Sequence, residues 1–343
     1  MKEINLYIHI GHGKTGTTSI QQFFRKNRVA LEKKGYLYTG LLFEELTDYV
    51  ETTSSVQHIF NKISGEGVNL ENDIEEGVQS LLKYSHENNI ENIIWVNEAF
   101  LTNGEKFIPI IRKFKSRFNM KIVCYLRDQY SWFSSSYKQW GVKDKNYQGD
   151  VQSFKEWCES QKWQGMYYNL LCPWDSEFDR DSLIIKNYVE VKDVLGDFLT
   201  IIGLMDFKDK VAENNGRSNV SDTSAILSFY KVFNSIYHGA DGYLIANKLL
   251  NKIDVTFGLM GQGSELFSIP DYDDVSYLFK DFKANNDLLL ELIGTELPVV
   301  SGEGEGVKSN EIETLSLMMG LILKLSNELS IVEEKLSRID HKL

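Results

Sequence analysis

Two kinds of apolar pattern alternate along the chain, one with the period of buried strands and one with the period of helices. The short, β-branched apolar runs typical of buried strands lie at residues 4–10, 35–38, 93–96, 121–126 and 182–188. Apolar residues at helical spacing lie between them, at residues 17–33, 71–88 and 106–118. Strands that alternate with helices predict a parallel sheet with helices packed on both faces. The pattern therefore predicts a three-layer α/β fold, in which ligands bind beyond the carboxyl ends of the strands.

Beyond residue 221 the pattern becomes mainly helical, and the chain ends in a heptad repeat. The glycine-rich polar sequence that starts at Ser301 predicts a flexible linker over residues 301–310. Apolar residues then recur at heptad spacing, at Leu315, Met318, Ile322, Leu325, Leu329, Val332, Leu336, Ile339 and Leu343. We therefore expect one domain over residues 1–300 and a C-terminal coiled-coil helix over residues 311–343. We expect that helix to join copies of the chain into a homo-oligomer, and the alternative is that it packs on its own domain.

The composition is that of an ordinary soluble globular protein of 343 residues, with 42% hydrophobic and 25% charged residues. Its three cysteines are too few and too irregularly spaced for a disulfide framework or a zinc site, which is typical of a reducing compartment. The N-terminus resembles neither a signal peptide nor a membrane anchor, and no run approaches ~18 apolar residues. We therefore expect a cytoplasmic protein without a membrane span.

The charge is strongly acidic overall but uneven along the chain. A formal net charge of −12 argues against broad nucleic-acid binding. Residues 112–145 depart from this balance, because they contain nine Lys or Arg against two Asp. Such a stretch either attracts an anionic small molecule or forms an exposed helix face.

The first predicted strand leads directly into a short glycine-rich loop, and a helix follows. The loop consists of Gly11, His12, Gly13, Lys14, Thr15, Gly16, Thr17 and Thr18. Glycines let backbone N–H groups converge on an anion, hydroxyls add donors, and Lys14 adds positive charge. The N-terminus of the following helix contributes its dipole. A strand, a glycine loop and a helix in this order predict a phosphate-binding site.

Two familiar phosphate motifs match this loop incompletely. The glycine spacing fits the dinucleotide fingerprint, which also needs an acidic residue about 20 positions on, at the tip of the second strand. Glu32 has that separation but precedes the second predicted strand. A Walker A motif would need a glycine where Ile8 stands, and its partner strand would end in Asp, whereas Asn97 follows the third predicted strand. A Mg-ATP-dependent kinase nevertheless stays open as an alternative.

The order of residues from Lys14 to Thr18 instead resembles the 5′-phosphosulfate-binding loop of sulfotransferases that use 3′-phosphoadenosine-5′-phosphosulfate (PAPS). In that family, as here, the lysine precedes the glycine. The resemblance implies that Lys14 neutralises charge on the departing phosphate. It also implies that amides and hydroxyls of the loop hold the phosphate oxygens, from Gly13, Lys14, Thr15, Gly16, Thr17 and Thr18.

A second motif follows the fourth predicted strand. Arg127 comes directly after that strand, and Ser131 and Ser135 are one helical turn apart. A guanidinium fork beside two hydroxyls suits a terminal phosphate. The 3′-phosphate site of the PAPS-dependent family has an Arg, a Ser eight residues later and often a Tyr ten residues later, which resembles Arg127, Ser135 and Tyr137. The usual proline two residues after the arginine is Gln129 here.

The resemblance covers roughly residues 4–295 and leaves the heptad tail outside it. It implies the P-loop NTPase-like fold of the bacterial-type and carbohydrate-acting members of the family, with PAPS as co-substrate and no metal. It also implies a contact near the nucleotide from Arg217, which opens an Arg-x-Asn-x-Ser segment.

The chemistry that these motifs imply is in-line transfer of a sulfuryl group from PAPS to an acceptor hydroxyl. Such a transfer needs positioning, stabilisation of the leaving charge and a base for the acceptor proton. Family members that act on carbohydrates often carry a glutamate after the third strand, so we expect Glu98 to be the general base and a glycan to be the acceptor. His12 or His58 is the alternative base. A non-catalytic, nucleotide-binding assembly protein is the alternative from outside the enzymes.

Aromatic residues crowd the segment at residues 130–174, which holds five of the six tryptophans. Aromatic faces stack on sugar rings, but they also fill cores. The sequence leaves both roles open for this segment.

Overall fold

The computed structural model describes residues 3–46, 70–145, 147–207, 224–236, 245–246, 268–270, 272–294 and 307–308. The chain divides into two compact units. The sheet unit contains Met1–Asp128, Trp163–Ser218 and Asp281–Val299, and the helical unit contains Gln129–Lys162, Asn219–Lys280 and Val300–Leu343. The described residues do not include His58 or Arg217. They also leave out the expected linker and coiled coil at residues 301–343, except for residues 307–308. The domain boundaries and the homo-oligomer therefore stay predictions.

Seven strands and eleven α-helices are found in the described residues. The strands are β1 (Asn5–His9), β2 (Tyr36–Tyr38), β3 (Asn92–Val96), β4 (Asn119–Leu126), β5 (Leu183–Asn187), β6 (Ser268–Ile269) and β7 (Val307–Lys308). The helices are α1 (Thr17–Glu32), α2 (Leu70–Asn88), α3 (Ala99–Thr102), α4 (Gly104–Ile111), α5 (Gln129–Ser136), α6 (Phe154–Ser160), α7 (Tyr167–Glu177), α8 (Val194–Ile201), α9 (Ser224–Ile236), α10 (Tyr272–Val275) and α11 (Lys280–Ile293). Short 3₁₀ turns lie at Arg112–Arg117, Lys162–Gly165, Arg180–Ser182 and Ser276–Phe279, and a π-helical turn at Tyr137–Lys143.

The sheet unit is built on five parallel strands in the order β2-β3-β1-β4-β5. His9, the last residue of β1, pairs with Val96 on one side and with Val123 on the other. β1 and β3 therefore end at the same level, while β4 continues to Leu126. From β1 the chain moves to β2 and β3 on one side, and from β3 it moves to β4 on the other side. The crevice between β1 and β4 is thus the topological switch point of the sheet, where ligands of such folds bind.

Helices cover both faces of this sheet, as the apolar pattern predicts. On one face Ile8, Trp95 and Leu126 belong to a core that includes residues of α2, α4 and α7. On the other face Val123 and Tyr125 belong to a core with residues of α1 and α8. Successive strand residues point to opposite faces, so runs that are apolar throughout are needed to fill both cores. The predicted three-layer α/β fold is confirmed.

One predicted helix is shorter in the structure than its apolar spacing indicates. The pattern predicts a helix over residues 106–118, but α4 ends at Ile111 and the chain tightens into the 3₁₀ turns Arg112–Arg117. Phe114 is the buried residue of this turn, so one apolar side chain anchors a stretch of otherwise charged or polar residues. Longer α-helical order has little packing to support it there.

The helical unit has a core of aromatic side chains. Tyr130 and Phe133 of α5 contact Phe279, with ring centroids 5.9 and 5.8 Å apart. Tyr137 packs on Phe154 and Trp157, at 5.5 and 6.3 Å. Most of the aromatic residues in the segment at residues 130–174 are therefore core material, which answers the open question about their role.

No helix in the described residues is long and apolar enough to cross a lipid bilayer.

Candidate functional site

The loop after β1 requires glycine at its first position because a buried imidazole lies against it. A Cβ on Gly11 would lie 2.3 Å from Cε1 of His9, which is shorter than any real contact. His9 is fully buried between the rings of Tyr125 and Phe198, with centroids 5.5 and 5.7 Å away. Burial lowers the pKa of His9 to about 3, against a smaller backbone hydrogen bond that raises it, so the ring is neutral at pH 7. His9 therefore supports the loop from beneath.

The next turn of the loop uses left-handed backbone at two positions. Gly16 has φ 89°, which glycine adopts without strain, and Lys14 has φ 68°, which is uncommon for a residue with a side chain. Left-handed residues cost about 1–3 kcal/mol each when they are not glycine, and they concentrate at functional sites. Alternating backbone of this kind directs successive N–H groups towards one point, which makes an anion-binding concavity.

The loop ends at the N-terminus of α1, which is open to an anion. Gly16 is the N-cap, and no side chain of the described residues caps the helix there. The first turn contains no acidic residue, since it begins Thr17, Thr18 and Ser19. A missing side-chain cap leaves first-turn N–H groups and the positive end of the helix dipole available to a bound anion. Val194 of α8 closes the other side of Gly16, 3.4 Å from where its Cβ would be.

The loop threonines differ in what their hydroxyls do. Thr15 is buried, and its Oγ1 donates to the backbone carbonyl of His12 at 2.5 Å. Its hydroxyl therefore holds the loop together, which leaves its backbone N–H as the group that can contact a ligand. Thr17 is buried, and Thr18 is exposed. Thr18 thus presents the most accessible hydroxyl of the loop.

His12 is unsuited to the role of base. It is fully buried, and its ring packs edge-on against Tyr167 with centroids 5.6 Å apart. Burial lowers its pKa to about 3, with a hydrogen bond to the backbone of Gln164 acting in the opposite direction. A buried, weakly basic ring cannot reach the proton of an acceptor in this conformation.

Arg127 follows β4 and is fixed by two aromatic side chains. Its guanidinium lies over the ring of Tyr188, 5.4 Å from the centroid. Tyr188 comes directly after β5, and its backbone N–H donates to Leu126 at 2.7 Å. The hydroxyl of Tyr167 donates to the carbonyl of Arg127, also at 2.7 Å. Because Tyr167 also touches His12, one buried tyrosine contacts both the glycine loop and the residue after β4.

The other residues of the second motif lie in the helical unit. Ser131 and Ser135 are both partly exposed and lie one turn apart on α5, as their spacing predicts. Tyr137 differs, because it is buried and its hydroxyl donates to the carbonyl of Gln152 at 2.7 Å. Tyr130, Phe133 and Tyr137 recur at helical spacing and form the apolar face of this segment. The burial of Tyr137 is therefore explained by this helical periodicity and not by its position ten residues after Arg127, which is the spacing of the PAPS-dependent family.

Glu98 lies two residues after β3, as the sequence predicts, and its turn is tied to the end of β1. Asn97 donates its backbone N–H to His9 at 3.1 Å. Its side chain is buried, accepts from the N–H of Ala99 at 2.9 Å and donates to the carbonyl of Leu41 at 3.1 Å. Asn97 therefore satisfies the start of α3, and the carboxylate of Glu98 does not cap that helix.

The carboxylate of Glu98 instead reaches across to α1. Its Oε2 accepts a hydrogen bond from Nε2 of Gln21 at 2.7 Å, although the two residues are 77 positions apart in sequence. Gln21 lies one helical turn beyond Thr17, so the structure brings Glu98 and the phosphate-loop helix together. The sequence carries no signal for this contact, because it depends on β3 lying next to β1.

The structure also bears on the alternative motifs. Glu32 ends α1 and forms an ion pair with Arg28 at 3.0 Å, so it is not at the tip of β2. β1 lies between β3 and β4, whereas the dinucleotide fold places its second strand beside its first. Both observations disfavour a dinucleotide site. In the part of the chain that the structure describes, no group of three or more His, Cys, Asp or Glu side chains could hold a metal ion.

The first three cations of the stretch at residues 112–145 are paired with neighbouring acids. Lys113 pairs with Glu71 and Glu75, the latter at 2.5 Å. Arg112 pairs with Glu177 at 3.4 Å, and Lys115 with Asp179 at 3.2 Å. These exposed pairs favour the interpretation as a solvated surface over that as an anion site.

Comparison with known proteins gives only distant likenesses. No protein-family model matches the chain, and no curated protein matches it. A sulfotransferase from Alicyclobacillus acidocaldarius is similar to it at 14% identity, over 87% of this chain and 98% of its own, with a TM-score of 0.43. Retinol dehydratase in a complex with retinol and PAP is similar at 14% identity, over 87% of this chain and 84% of its own, with a TM-score of 0.36. At these scores the likenesses assign neither a family nor an activity to this chain.

Proposed function

We propose that this chain is a PAPS-dependent sulfotransferase that moves a sulfuryl group to an acceptor hydroxyl. The observation that carries the proposal is a pair of cationic residues that follow neighbouring strands. Lys14 lies in the glycine loop after β1, and Arg127 follows β4. These two strands flank the topological switch point, where ligands of parallel α/β sheets bind. A nucleotide with phosphates on both its 3′ and 5′ oxygens suits two such groups.

The glycine loop suits the 5′ end of that nucleotide. Left-handed backbone at Lys14 and Gly16 is of the kind that forms anion-binding concavities, and the start of α1 adds its dipole. Gly11 keeps the turn close to His9, so the backbone itself forms the cradle. The residues that hold the phosphosulfate in this proposal are Gly13, Lys14, Thr15, Gly16, Thr17 and Thr18.

Arg127 suits the 3′ phosphate because of how its guanidinium is held. The group lies over the face of Tyr188, which supports it by cation–π contact. Stacking of this kind uses the face of the guanidinium and leaves its in-plane N–H donors for a phosphate. Ser135 and Arg217 are the further 3′-phosphate and nucleotide contacts in this proposal.

The proposed reaction is an in-line displacement at sulfur. PAPS supplies the activated sulfuryl group. A bond forms between the acceptor oxygen and sulfur while the bond from sulfur to the 5′-phosphate oxygen breaks. Glu98 takes the proton of the acceptor hydroxyl, and Lys14 stabilises the negative charge left on the phosphate. Charge stabilisation of this kind is worth about 10²–10³ in rate.

The proposed base and one exposed ring support the proposed acceptor class. A carboxylate base in this position is what the resemblance implies for carbohydrate-acting members, so a glycan hydroxyl is the proposed acceptor. Trp163 is 49% exposed, unlike the buried tryptophans at positions 132, 157 and 174. It lies in the 3₁₀ turn Lys162–Gly165, beside Gln164, which contacts His12. An exposed indole near the loop is available for stacking on a sugar ring.

A thermal-unfolding panel of nucleotides tests this function. The nucleotide product 3′-phosphoadenosine 5′-phosphate (PAP) is expected to stabilise the protein in the presence of a chelator. At a hundredfold excess over its dissociation constant the gain is about 2.7 kcal/mol. Stabilisation by ATP that disappears with the chelator, with no response to PAP, would instead indicate a Mg-dependent kinase. PAP binding without any sulfuryl transfer from PAPS would indicate a non-catalytic protein.

A further inference from the structure

We infer that Gln21 is a positioning residue that holds the carboxylate of Glu98 and ties it to the phosphate-loop helix. The inference rests on the proposed function, because it gives Glu98 the role of base. The observation behind it is the hydrogen bond from Nε2 of Gln21 to Oε2 of Glu98 at 2.7 Å.

Gln21 occupies a position that moves with the nucleotide loop. It lies four residues after Thr17, on the first turns of α1, and α1 begins where the loop ends. Its backbone is rigidly attached to the N–H groups that would grip the phosphosulfate. A displacement of α1 on nucleotide binding would therefore carry the amide of Gln21, and with it the carboxylate of Glu98.

The turn of Glu98 is anchored separately from beneath. Asn97 forms hydrogen bonds with His9, Ala99 and Leu41, so three contacts hold the main chain at the start of α3. The side chain of Glu98 still has freely rotating bonds beyond that anchor. The contact with Gln21 removes this freedom, so backbone and carboxylate are each held by a different partner.

The chemistry of the donor is what makes it suitable for this role. An amide N–H orients a carboxylate without neutralising its charge, because the amide is a neutral donor that does not ionise near neutral pH. With Oε2 engaged by Gln21, Oε1 is the oxygen left to accept the proton of an acceptor hydroxyl. A displacement of about 1 Å at a reacting group costs up to about 10²-fold in rate, so orientation alone carries a large kinetic effect.

The first test compares three single variants in an assay that needs no identified acceptor. The probe is PAPS alone, with water as acceptor, and the readout is released PAP at saturating PAPS. Gln21→Leu is expected to lower the turnover number about 10-fold to 100-fold, with PAP affinity measured by calorimetry within about threefold of wild type. Glu98→Gln is expected to lower turnover about 10²–10⁴-fold. Gln22→Leu changes a neighbouring, equally half-buried glutamine on α1 and is the matched control, whose turnover is expected to stay within about twofold of wild type because the contact with Glu98 is kept.

A second variant separates positioning from folding. The double variant Gln21→Glu with Glu98→Gln exchanges amide and carboxylate, so the hydrogen bond can re-form with the carboxylate on α1. It is expected to unfold at the wild-type temperature, yet to turn over as slowly as Glu98→Gln. Wild-type turnover in this exchanged protein would overturn the inference.

The outcomes distinguish a failed inference from a failed function. If Glu98→Gln is impaired while Gln21→Leu turns over like wild type, positioning by Gln21 is overturned and the proposed function stands. If Glu98→Gln turns over like wild type, the base assignment is wrong and the inference falls with it. If the wild-type chain binds no PAP and releases none from PAPS, the proposed function itself is wrong. A large loss of PAP affinity in Gln21→Leu would mean that Gln21 supports nucleotide binding by the glycine loop, which also overturns the inference.

Discussion

Two regions of the sheet unit each contain one lysine and one carboxylate, and they use them differently. At β5 and α8, Nζ of Lys186 pairs with Oδ1 of Asp197, and the hydroxyl of Tyr125 donates to Oδ2 at 2.8 Å. At the tips of β1 and β3, the carboxylate of Glu98 accepts from the neutral amide of Gln21. Lys14 stands in the glycine loop on a left-handed backbone.

The difference separates a structural carboxylate from one that is available for chemistry. Both oxygens of Asp197 are engaged, one of them by an ammonium group, and burial together with Asp197 raises the pKa of Tyr125 well above its usual range. Asp197 thereby fastens α8 to two strands. The donor that holds Glu98 is a neutral amide and brings no opposing charge, which suits the proposed role of general base. The kind of partner, rather than the presence of a lysine and an acid, distinguishes the two regions.

Replacing Glu98 should have the largest kinetic effect. Glu98→Gln preserves shape and removes the base, so we expect turnover to fall about 10²–10⁴-fold. PAP affinity should stay within about threefold, because the nucleotide contacts are untouched. Steady-state kinetics with PAPS and calorimetry with PAP check the two expectations. Loss of PAP binding together with turnover would contradict the role of base.

Replacing the loop lysine should come next, with the structural lysine as its control. Lys14→Met is expected to reduce turnover about 10²–10³-fold, because the departing phosphate loses its neutralising charge. Lys186→Met removes a lysine from the other region and should leave turnover within about threefold. Equal losses of turnover in the two variants would erase the distinction between the regions.

Replacing Arg127 should change nucleotide discrimination rather than chemistry. A hydrogen bond to a charged group is worth about 1.5–3 kcal/mol, so Arg127→Ala should weaken PAP binding about 10-fold to 100-fold. Affinity for adenosine 5′-phosphate should change little, since that ligand has no 3′ phosphate. Arg117→Ala is the matched control, because Arg117 is exposed, lies over Phe114 and precedes β4 instead of following it. If Arg127→Ala still distinguished PAP from adenosine 5′-phosphate as well as wild type does, the assignment of Arg127 to the 3′ phosphate would be wrong.

Replacing Asp197 should have the smallest effect on turnover and a clear effect on stability. Asp197→Ala leaves Lys186 and the hydroxyl of Tyr125 without their common partner. We expect the free energy of unfolding to fall by about 1–3 kcal/mol, as measured by chemical denaturation. Turnover measured at denaturant concentrations below the unfolding transition should stay within about threefold of the wild-type value. A variant that is fully stable yet inactive would show that Asp197 takes part in the chemistry.

The sequence predicted the elements that carry the site because each is a local pattern. β1, the glycine loop and α1 follow one another without a gap, and Glu98 and Arg127 each come just after an apolar run that forms a strand. A parallel sheet then places such residues at one edge, whatever the order of its strands. Local pattern therefore predicts where Lys14, Glu98 and Arg127 lie, whereas their expected roles come from the resemblance to PAPS-dependent sulfotransferases.

The contacts that hold those residues depend on long-range topology and were not predictable. Gln21 meets Glu98 because β3 lies beside β1, and Tyr167 meets both His12 and Arg127 because α7 packs under the same edge. No periodicity in the sequence encodes strand order. The environment of Tyr137 was predictable, since its helical spacing with Tyr130 and Phe133 indicates a buried face.

The most direct test of the proposed site is a crystal structure of the chain with PAP bound in the presence of a chelator. We predict one nucleotide across the switch point, with the Lys14 ammonium about 2.9 Å from a 5′-phosphate oxygen and the Arg127 guanidinium at a similar distance from the 3′ phosphate. A nucleotide whose 3′ phosphate binds away from Arg127, or whose 5′ phosphate lies outside the glycine loop, would contradict it.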